Sequence, residues 1–175
     1  MRTNDYKEDV IKFDDIEWLT ELSKAEKKVK NDLLTTNDYD RGDDIRFKDY
    51  SYILYIGHDD NINDKSIGKI AGWDLSRIEM IYVKYNSNNY VYHYDIYIKD
   101  YEKSTDLEVI KKDLVEKLDN KYGKDERYTN NDEYEYEWMD KNGNIVGIEE
   151  YGHLIHMIYE CTNIREYFEK LDEEY

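Results

Sequence analysis

Residues 77–99 read RIEMIYVKYNSNNYVYHYDIYIK, and this stretch decides the fold. β-Branched and aromatic residues fill its two arms, residues 77–85 and 90–99, which favours two strands. The polar link at residues 86–89 is typical of a hairpin turn. In the second arm, a two-residue period places one set of side chains on one face: Tyr90, Tyr92, Tyr94, Ile96 and Ile98. The stretch therefore predicts an antiparallel hairpin with one tyrosine-rich face.

Upstream of the hairpin, residue spacing predicts a helix and a strand separated by loops. Residues 14–34 carry apolar side chains three and four positions apart, which predicts the first helix. Residues 35–44 are polar and acidic and predict a loop, whereas residues 47–57 predict a buried strand. Residues 58–65 predict another polar loop before a short segment at 67–73.

The second helix has the clearest local signals in the chain. Thr105 and Glu108 have capping-box spacing, and Gly123 stands where a C-terminal cap belongs. Between them, one helical face carries an apolar stripe formed by Leu107, Ile110, Leu114, Leu118 and Tyr122.

Strand signals return after this helix. Residues 133–140, 145–151 and 153–160 predict three strands, the first two joined by an Asn142-Gly143 turn. Residues 163–171 predict a short terminal helix. Hairpin-linked strands separated by helices favour an antiparallel α+β domain over residues 1–175. The predicted order is helix, three strands, helix, three strands, helix, with the sheet in two three-strand groups.

Charge is the strongest indication of a partner. The chain has 42 acidic and 25 basic residues, a formal net charge of −17. Such a surplus repels nucleic acid and anionic membrane and attracts basic protein surfaces. We therefore expect no direct binding of nucleic acid or membrane, and a basic protein as the partner.

The segment EYEYEW at residues 133–138 is the most suggestive local pattern. On a strand, Glu133, Glu135 and Glu137 point one way, roughly 6.6–6.8 Å apart. This ladder of charge resembles a phosphate backbone, although a solvated outer strand face has the same pattern. The candidate partner-binding residues are Glu133, Glu135, Glu137, Asp140, Glu149 and Glu150.

The sequence offers little support for a metal, a cofactor or catalysis. Residues 59–70 match the first EF-hand ligand positions, but Asp64 replaces the required glycine and Ile70 the closing glutamate. There is no Walker loop, no G-x-G-x-x-G and no G-x-S-x-G motif. We expect a protein that is not an enzyme and needs no metal or cofactor.

Location is predicted from cysteine use and from the amino terminus. Cys161 is the sole cysteine, which excludes an intrachain disulfide and fits a reducing compartment. Residues 1–12 are charged and have no apolar core of a signal peptide. The expected location is the cytoplasm of the host cell.

In size, acidity and lack of motifs, the chain resembles phage- and mobile-element-encoded inhibitors of the anti-CRISPR and anti-restriction type. The resemblance implies a DNA-mimicking protein that docks on the basic nucleic-acid channel of a nuclease and blocks its substrate. Two alternatives remain open. One is an immunity protein that neutralises a basic nuclease toxin; the other is a small-ligand-binding domain with a pocket under Tyr90, Tyr92 and Tyr94.

Overall fold

The computed structural model describes residues 11–13, 16, 18, 20–29, 35–43, 50–57, 66–85, 87–101, 105–123, 134–162 and 166. Its helices and strands, in chain order, are α1 (Leu22–Val29), β1 (Thr35–Asp43), β2 (Tyr50–Gly57), β3 (Lys69–Ile70), β4 (Trp73–Tyr85), β5 (Asn88–Ile98), α2 (Leu107–Tyr122), β6 (Tyr136–Met139), β7 (Asn144–Tyr151) and β8 (Leu154–Cys161). This confirms the α+β class.

All the strand pairs are antiparallel, and they form one sheet in the order β1-β2-β4-β5-β8-β7-β6, with β3 paired to β4 off this path. The predicted arrangement of the sheet in two three-strand groups is not confirmed, because β1 and β3 are additional strands and the described strands form a single eight-stranded sheet. Strand β5 pairs with β8 from His93↔Glu160 to Ile98↔Ile155, so the two halves share a continuous sheet. Pairing the two inner strands satisfies their backbone groups, and β1 and β6 stand at the two ends of this strand order.

The central hairpin of β4 and β5 is confirmed, with two changes of register, one between Leu75 and Arg77 and one between Ile81 and Tyr82. Ile81 pairs with His93 whereas Tyr82 pairs with Val91, so β5 has one extra residue, Tyr92. A bulge of this kind reverses the side-chain alternation beyond it. Val91 and Tyr94 therefore belong to the main core cluster, and the predicted single face containing Tyr90, Tyr92 and Tyr94 does not form.

Helix α2 is confirmed within residues 107–122, and its apolar stripe is buried against the sheet. Its N-cap differs from the predicted one: the side chain of Asp106 accepts from the backbone N–H of Glu108. Thr105 is instead held by its own N–H, which donates to Asp100. At the other end, Gly123 caps the helix by donating its N–H to the carbonyl of Asp119. Its φ of 85° is positive, but its ψ of 155° differs from the left-handed helical conformation that was predicted.

The first helix starts later than predicted: α1 is Leu22–Val29, whereas the prediction covered residues 14–34, of which residues 30–34 lie outside the described residues. The preceding chain is joined to the sheet instead. Glu21 forms a β-bridge with Tyr90, and the N–H of Val91 donates to the carbonyl of Thr20. Local apolar spacing is overridden here because pairing with β5 uses the backbone groups that a helix would need.

Polar residues 35–43 form strand β1, so the loop predicted there is wrong. β1 is an edge strand paired with β2, and an edge position requires backbone pairing on one side only. The strand predicted at residues 47–57 is confirmed over Tyr50–Gly57. The predicted loop at 58–65 lies outside the described residues, as does the terminal helix at 163–171 apart from Glu166. No helix in the described part of the chain is long and apolar enough to cross a membrane.

Candidate partner-binding site

Lys111 is the organising residue of the candidate site. It lies in the first half of α2, beside the apolar stripe, at the helical position between Leu107 and Leu114. Only 6 % of its side chain is exposed. A buried ammonium must be paired to remain charged at acceptable cost, so its surroundings have to supply carboxylates.

Three glutamates meet at the Lys111 Nζ atom. Oε1 of Glu108, one turn earlier in α2, lies 2.7 Å away. Oε1 of Glu135, just before β6, lies 2.8 Å away, and Oε1 of Glu150, in β7, lies 2.9 Å away. The cluster therefore joins a helix, the start of an edge strand and the neighbouring strand at one ammonium.

The charges of this Lys111 cluster do not cancel. Burial lowers the pKa of Lys111, but hydrogen bonds to Glu108, Glu135 and Glu150 raise it by more than burial lowers it. The pKa of Lys111 is therefore well above the ordinary lysine value. Hydrogen bonding to Lys111 in turn lowers the pKa of Glu150. Three carboxyl groups surround one ammonium, so the cluster has a formal excess of two negative charges in a small volume.

The carboxylates of the cluster are open to solvent although their cation is not. The side chains of Glu108, Glu135 and Glu150 remain 67 %, 43 % and 39 % exposed. Each contact to Lys111 uses one oxygen, Oε1. Arginine and lysine side chains of another protein are the natural partners for carboxylates held in this way.

Two residues of the predicted ladder, Glu135 and Glu137, do not lie on one face. Glu133 lies outside the described residues, and β6 begins only at Tyr136. Glu135 contacts Lys111 of α2. The backbone of Glu137 pairs with Gly147, and the side chain of Glu137 lies on the opposite face of β6 from the buried Trp138. Strand alternation fails before Tyr136 because Glu135 is in a bend, not in the strand.

Asp140 has a local role in the β6–β7 turn. One carboxylate oxygen, Oδ1, accepts from the N–H groups of Asn142 and Asn144 at 2.8 and 2.9 Å. The other, Oδ2, accepts from the side chain of Asn144 and from the N–H of Ile11, both at 2.9 Å. Four donors converge on this carboxylate, so Asp140 fixes the turn and attaches residue 11 to it.

Glu149 belongs to a polar network on the sheet face opposite α2. Its Oε1 lies 2.8 Å from Nδ1 of His156, and Nε2 of His156 lies 2.8 Å from Oδ1 of Asp95. The same Asp95 oxygen lies 2.8 Å from Nε2 of His93. Burial raises the pKa of Asp95, but the hydrogen bonds from His156 and His93 lower it by more than burial raises it. The pKa of Asp95 is therefore far below its ordinary value.

The two histidines of this network have raised pKa values. Burial lowers the pKa of His93, but the hydrogen bond to Asp95 and the nearby carboxylate of Glu160, 3.7 Å from Nδ1, raise it to about 9. Burial also lowers the pKa of His156, but the hydrogen bonds to Asp95 and Glu149 outweigh burial and raise the pKa above the ordinary value. The network is a structural ion-pair chain across β5, β8 and β7, and it is separate from the Lys111 cluster.

The structure thus brings together two of the predicted residues, Glu135 and Glu150, and adds Glu108 and Lys111 to them. The sequence contains a signal for the added pair, because Lys111 interrupts the apolar face of α2 three residues after Glu108. Among the described residues, no group of three or more His, Cys, Asp or Glu side chains is arranged so that it could hold a metal ion.

The tyrosine-lined pocket considered from the sequence is not formed by the described residues. Tyr94 is fully buried between Phe13 and Trp18, with ring centroids 5.0 and 5.9 Å away. This is core packing. Comparison with family models, with curated proteins and with solved structures finds no match to this chain.

Proposed function

We propose that this protein is an acidic inhibitor that binds the basic nucleic-acid channel of a nuclease and blocks its substrate, in the manner of anti-CRISPR and anti-restriction proteins. It performs no chemistry of its own and acts in the cytoplasm of the host cell. The observation that carries the proposal is the Lys111 cluster: three half-exposed carboxylates held within 2.7–2.9 Å of one buried ammonium.

Electrostatics supports this function in two ways. The net charge of −17 speeds encounter with a basic surface through long-range attraction. The Lys111 cluster then offers carboxylates whose positions are fixed before binding. Preorganised groups bind more tightly than flexible ones because less side-chain entropy is lost on association.

The contact surface of this proposal extends from Glu108 and Glu135 to Glu150 at the β6 edge of the sheet. On the partner, positively charged side chains that are spaced to contact the phosphates of DNA or RNA would contact these carboxylates instead. Glu137 lies on the opposite face of β6, so it is not part of this proposed contact surface.

A competition experiment tests the proposal. Tagged protein is used to capture partners from the host lysate at low salt, and the captured species are identified by mass spectrometry. We expect a nucleic-acid-binding nuclease that is released by its own DNA or guide RNA and by raised salt. Capture that nucleic acid does not reverse would contradict competition for the channel.

Matched variants separate the cluster from the overall charge. Glu135→Gln with Glu150→Gln removes two charges from the cluster, whereas Glu21→Gln with Glu116→Gln removes two charges elsewhere on the described surface. We expect the first pair to reduce the association rate and affinity much more than the second. Equal effects would mean that binding depends on net charge alone and that the cluster is not the contact.

A further inference from the structure

A cavity of about 460 Å³ lies between α1, the β3–β4 turn and α2. Its volume is within the roughly 300–1,000 Å³ typical of small-molecule sites. It lies on the helix-covered face of the sheet, since Ile78 and Met157 of the sheet and Leu114 and Leu118 of α2 line it. The Lys111 cluster does not contribute to its lining.

The floor of the cavity is apolar and mostly aliphatic. Ile67, Leu75, Ile78, Leu114 and Met157 are each at least nine-tenths buried, and they form the floor together with Leu118. Phe13 and Tyr159 are the aromatic residues of the lining. Aliphatic walls of this kind favour a flexible hydrocarbon chain as the occupant.

The lining also has a charge opposite to that of the chain as a whole. It includes five lysines and no aspartate or glutamate, namely Lys12, Lys28, Lys69, Lys117 and Lys121. The protein has 42 acidic and 25 basic residues, so this local excess of positive charge is opposite in sign to its net charge. Charge complementarity therefore points to an anion at the mouth of the cavity.

Two of these lysines are structural and two are available to a ligand. Lys69 pairs with Asp74 at 3.3 Å, and Lys117 pairs with Asp113 at 2.7 Å while donating to the carbonyl of Ala71. Lys28 and Lys121 have no ion-pair partner among the described residues. Their ammonium groups are the ones that a bound anion would neutralise.

The wall made by the β3–β4 turn is fixed in place. Asp113 of α2 accepts from Lys117 and, at 2.7 Å, from the indole N–H of Trp73. With the Lys117 bond to Ala71, these contacts attach the turn to α2. The cavity is therefore formed before any ligand arrives, which lowers the entropic cost of binding.

We propose that this lysine-rimmed cavity binds a single-chain amphiphilic anion, with its acyl or alkyl chain on the aliphatic floor and a carboxylate or phosphate head at Lys28 and Lys121. The chemistry is shared by fatty acids and by phosphorylated alkyl chains. This binding is independent of the proposed inhibitor function, because its lining contains no residue of the Lys111 cluster.

Calorimetric titration with ten-carbon probes below their micellar concentrations tests the proposal. We expect decanoate, decyl phosphate or both to bind with one-to-one stoichiometry, the tighter one identifying the head group. Decyltrimethylammonium, which has the same chain and a positive head, should bind at least tenfold more weakly. No binding of either anion, or equal binding of the cation to this acidic protein, would overturn the proposal.

Lysine variants locate the site. Lys28→Gln with Lys121→Gln should weaken binding of the anionic probe by about tenfold, the effect of losing two partly exposed ion pairs. Lys24→Gln with Lys27→Gln changes the net charge equally, at two positions of α1 outside the cavity lining, and should leave the affinity within about twofold. Equal weakening by both pairs would show a diffuse charge effect and overturn the assigned site.

Discussion

The Nζ atom of Lys111 lies 2.9 Å from Oε1 of Glu150, and this contact joins helix α2 to strand β7 across 39 positions of the chain. Glu135 and Glu108 contact the same ammonium, so the end of β7, the start of β6 and the first turn of α2 are held at one point. A single buried cation thus stabilises the fold locally and fixes the geometry of an acidic surface.

Replacing Lys111 with methionine should destabilise the protein by about 2 kcal/mol, because three carboxylates then lose their only shared cation. The cost is below that of a fully buried pair since the carboxylates are partly solvated. Urea unfolding at neutral pH measures the change. Lys112→Met, at the exposed neighbouring position, is the control and should cost less than about 0.5 kcal/mol. Equal effects of the two substitutions would contradict the central role of Lys111.

Asp140→Ala should cost about 2–3 kcal/mol, because it removes the acceptor of four hydrogen bonds in the β6–β7 turn. Thermal unfolding compares it with Lys141→Ala, an exposed neighbour expected to be near neutral. If Asp140→Ala instead retained full stability and lost partner binding, Asp140 would be a contact residue, as its inclusion among the candidate residues predicted.

Gly147→Ala should destabilise the β6–β7 pair by about 1–3 kcal/mol. A Cβ atom at this position would lie 2.8 Å from the Cγ and Cδ2 atoms of Tyr134, too close for the ring to remain in place. Adding Tyr134→Ala should remove the clash, so Gly147→Ala should cost less in that background. A double-mutant cycle by urea unfolding measures this coupling. Strictly additive effects would contradict the steric explanation.

The His93 network predicts that stability falls as pH rises from about 6.5 to 9. The folded-state pKa of His93 is about 9, above the ordinary value of about 6.5. Its contribution is therefore complete below about pH 6.5 and is lost as pH rises through the folded-state value. The raised pKa of His156 acts with the same sign, whereas Asp95, whose pKa is lowered, contributes at all pH values above about 4.

His93→Gln should flatten this pH dependence, with a difference on the order of 2–3 kcal/mol in the change of unfolding free energy between pH 6.5 and 9. The groups facing His93 are Asp95 and Glu160, with His156 beyond Asp95. His153→Gln, in an exposed turn, is the control and should leave the slope unchanged. A steep slope that persists in His93→Gln would assign the pH dependence to other groups.

Local sequence patterns are enough to predict the elements whose side chains follow a simple period. Helix α2, its cap at Gly123 and the hairpins β4–β5 and β6–β7 follow from residue spacing and from turn residues. The same reasoning fails at β1, where a polar segment pairs with the adjacent strand β2, and before α1, where Glu21 pairs with Tyr90 of the distant strand β5.

The net charge and the candidate glutamates Glu135 and Glu150 were likewise readable from the sequence. Their meeting at Lys111 was not, because it depends on α2 packing beside the β6–β7 edge. A bulge at Tyr92 similarly changes which tyrosines reach the core.

The sequence by itself determined the α+β class, the acidity and the main hairpins, since these depend on residue type and on neighbours a few positions away. Only the tertiary structure decided that β5 pairs with β8, that three glutamates share one lysine and that lysines rim an aliphatic cavity. The physical reason is that each of these arrangements brings together elements that are far apart in the chain. Their distances are set by how strands pair and helices pack, which no local period encodes.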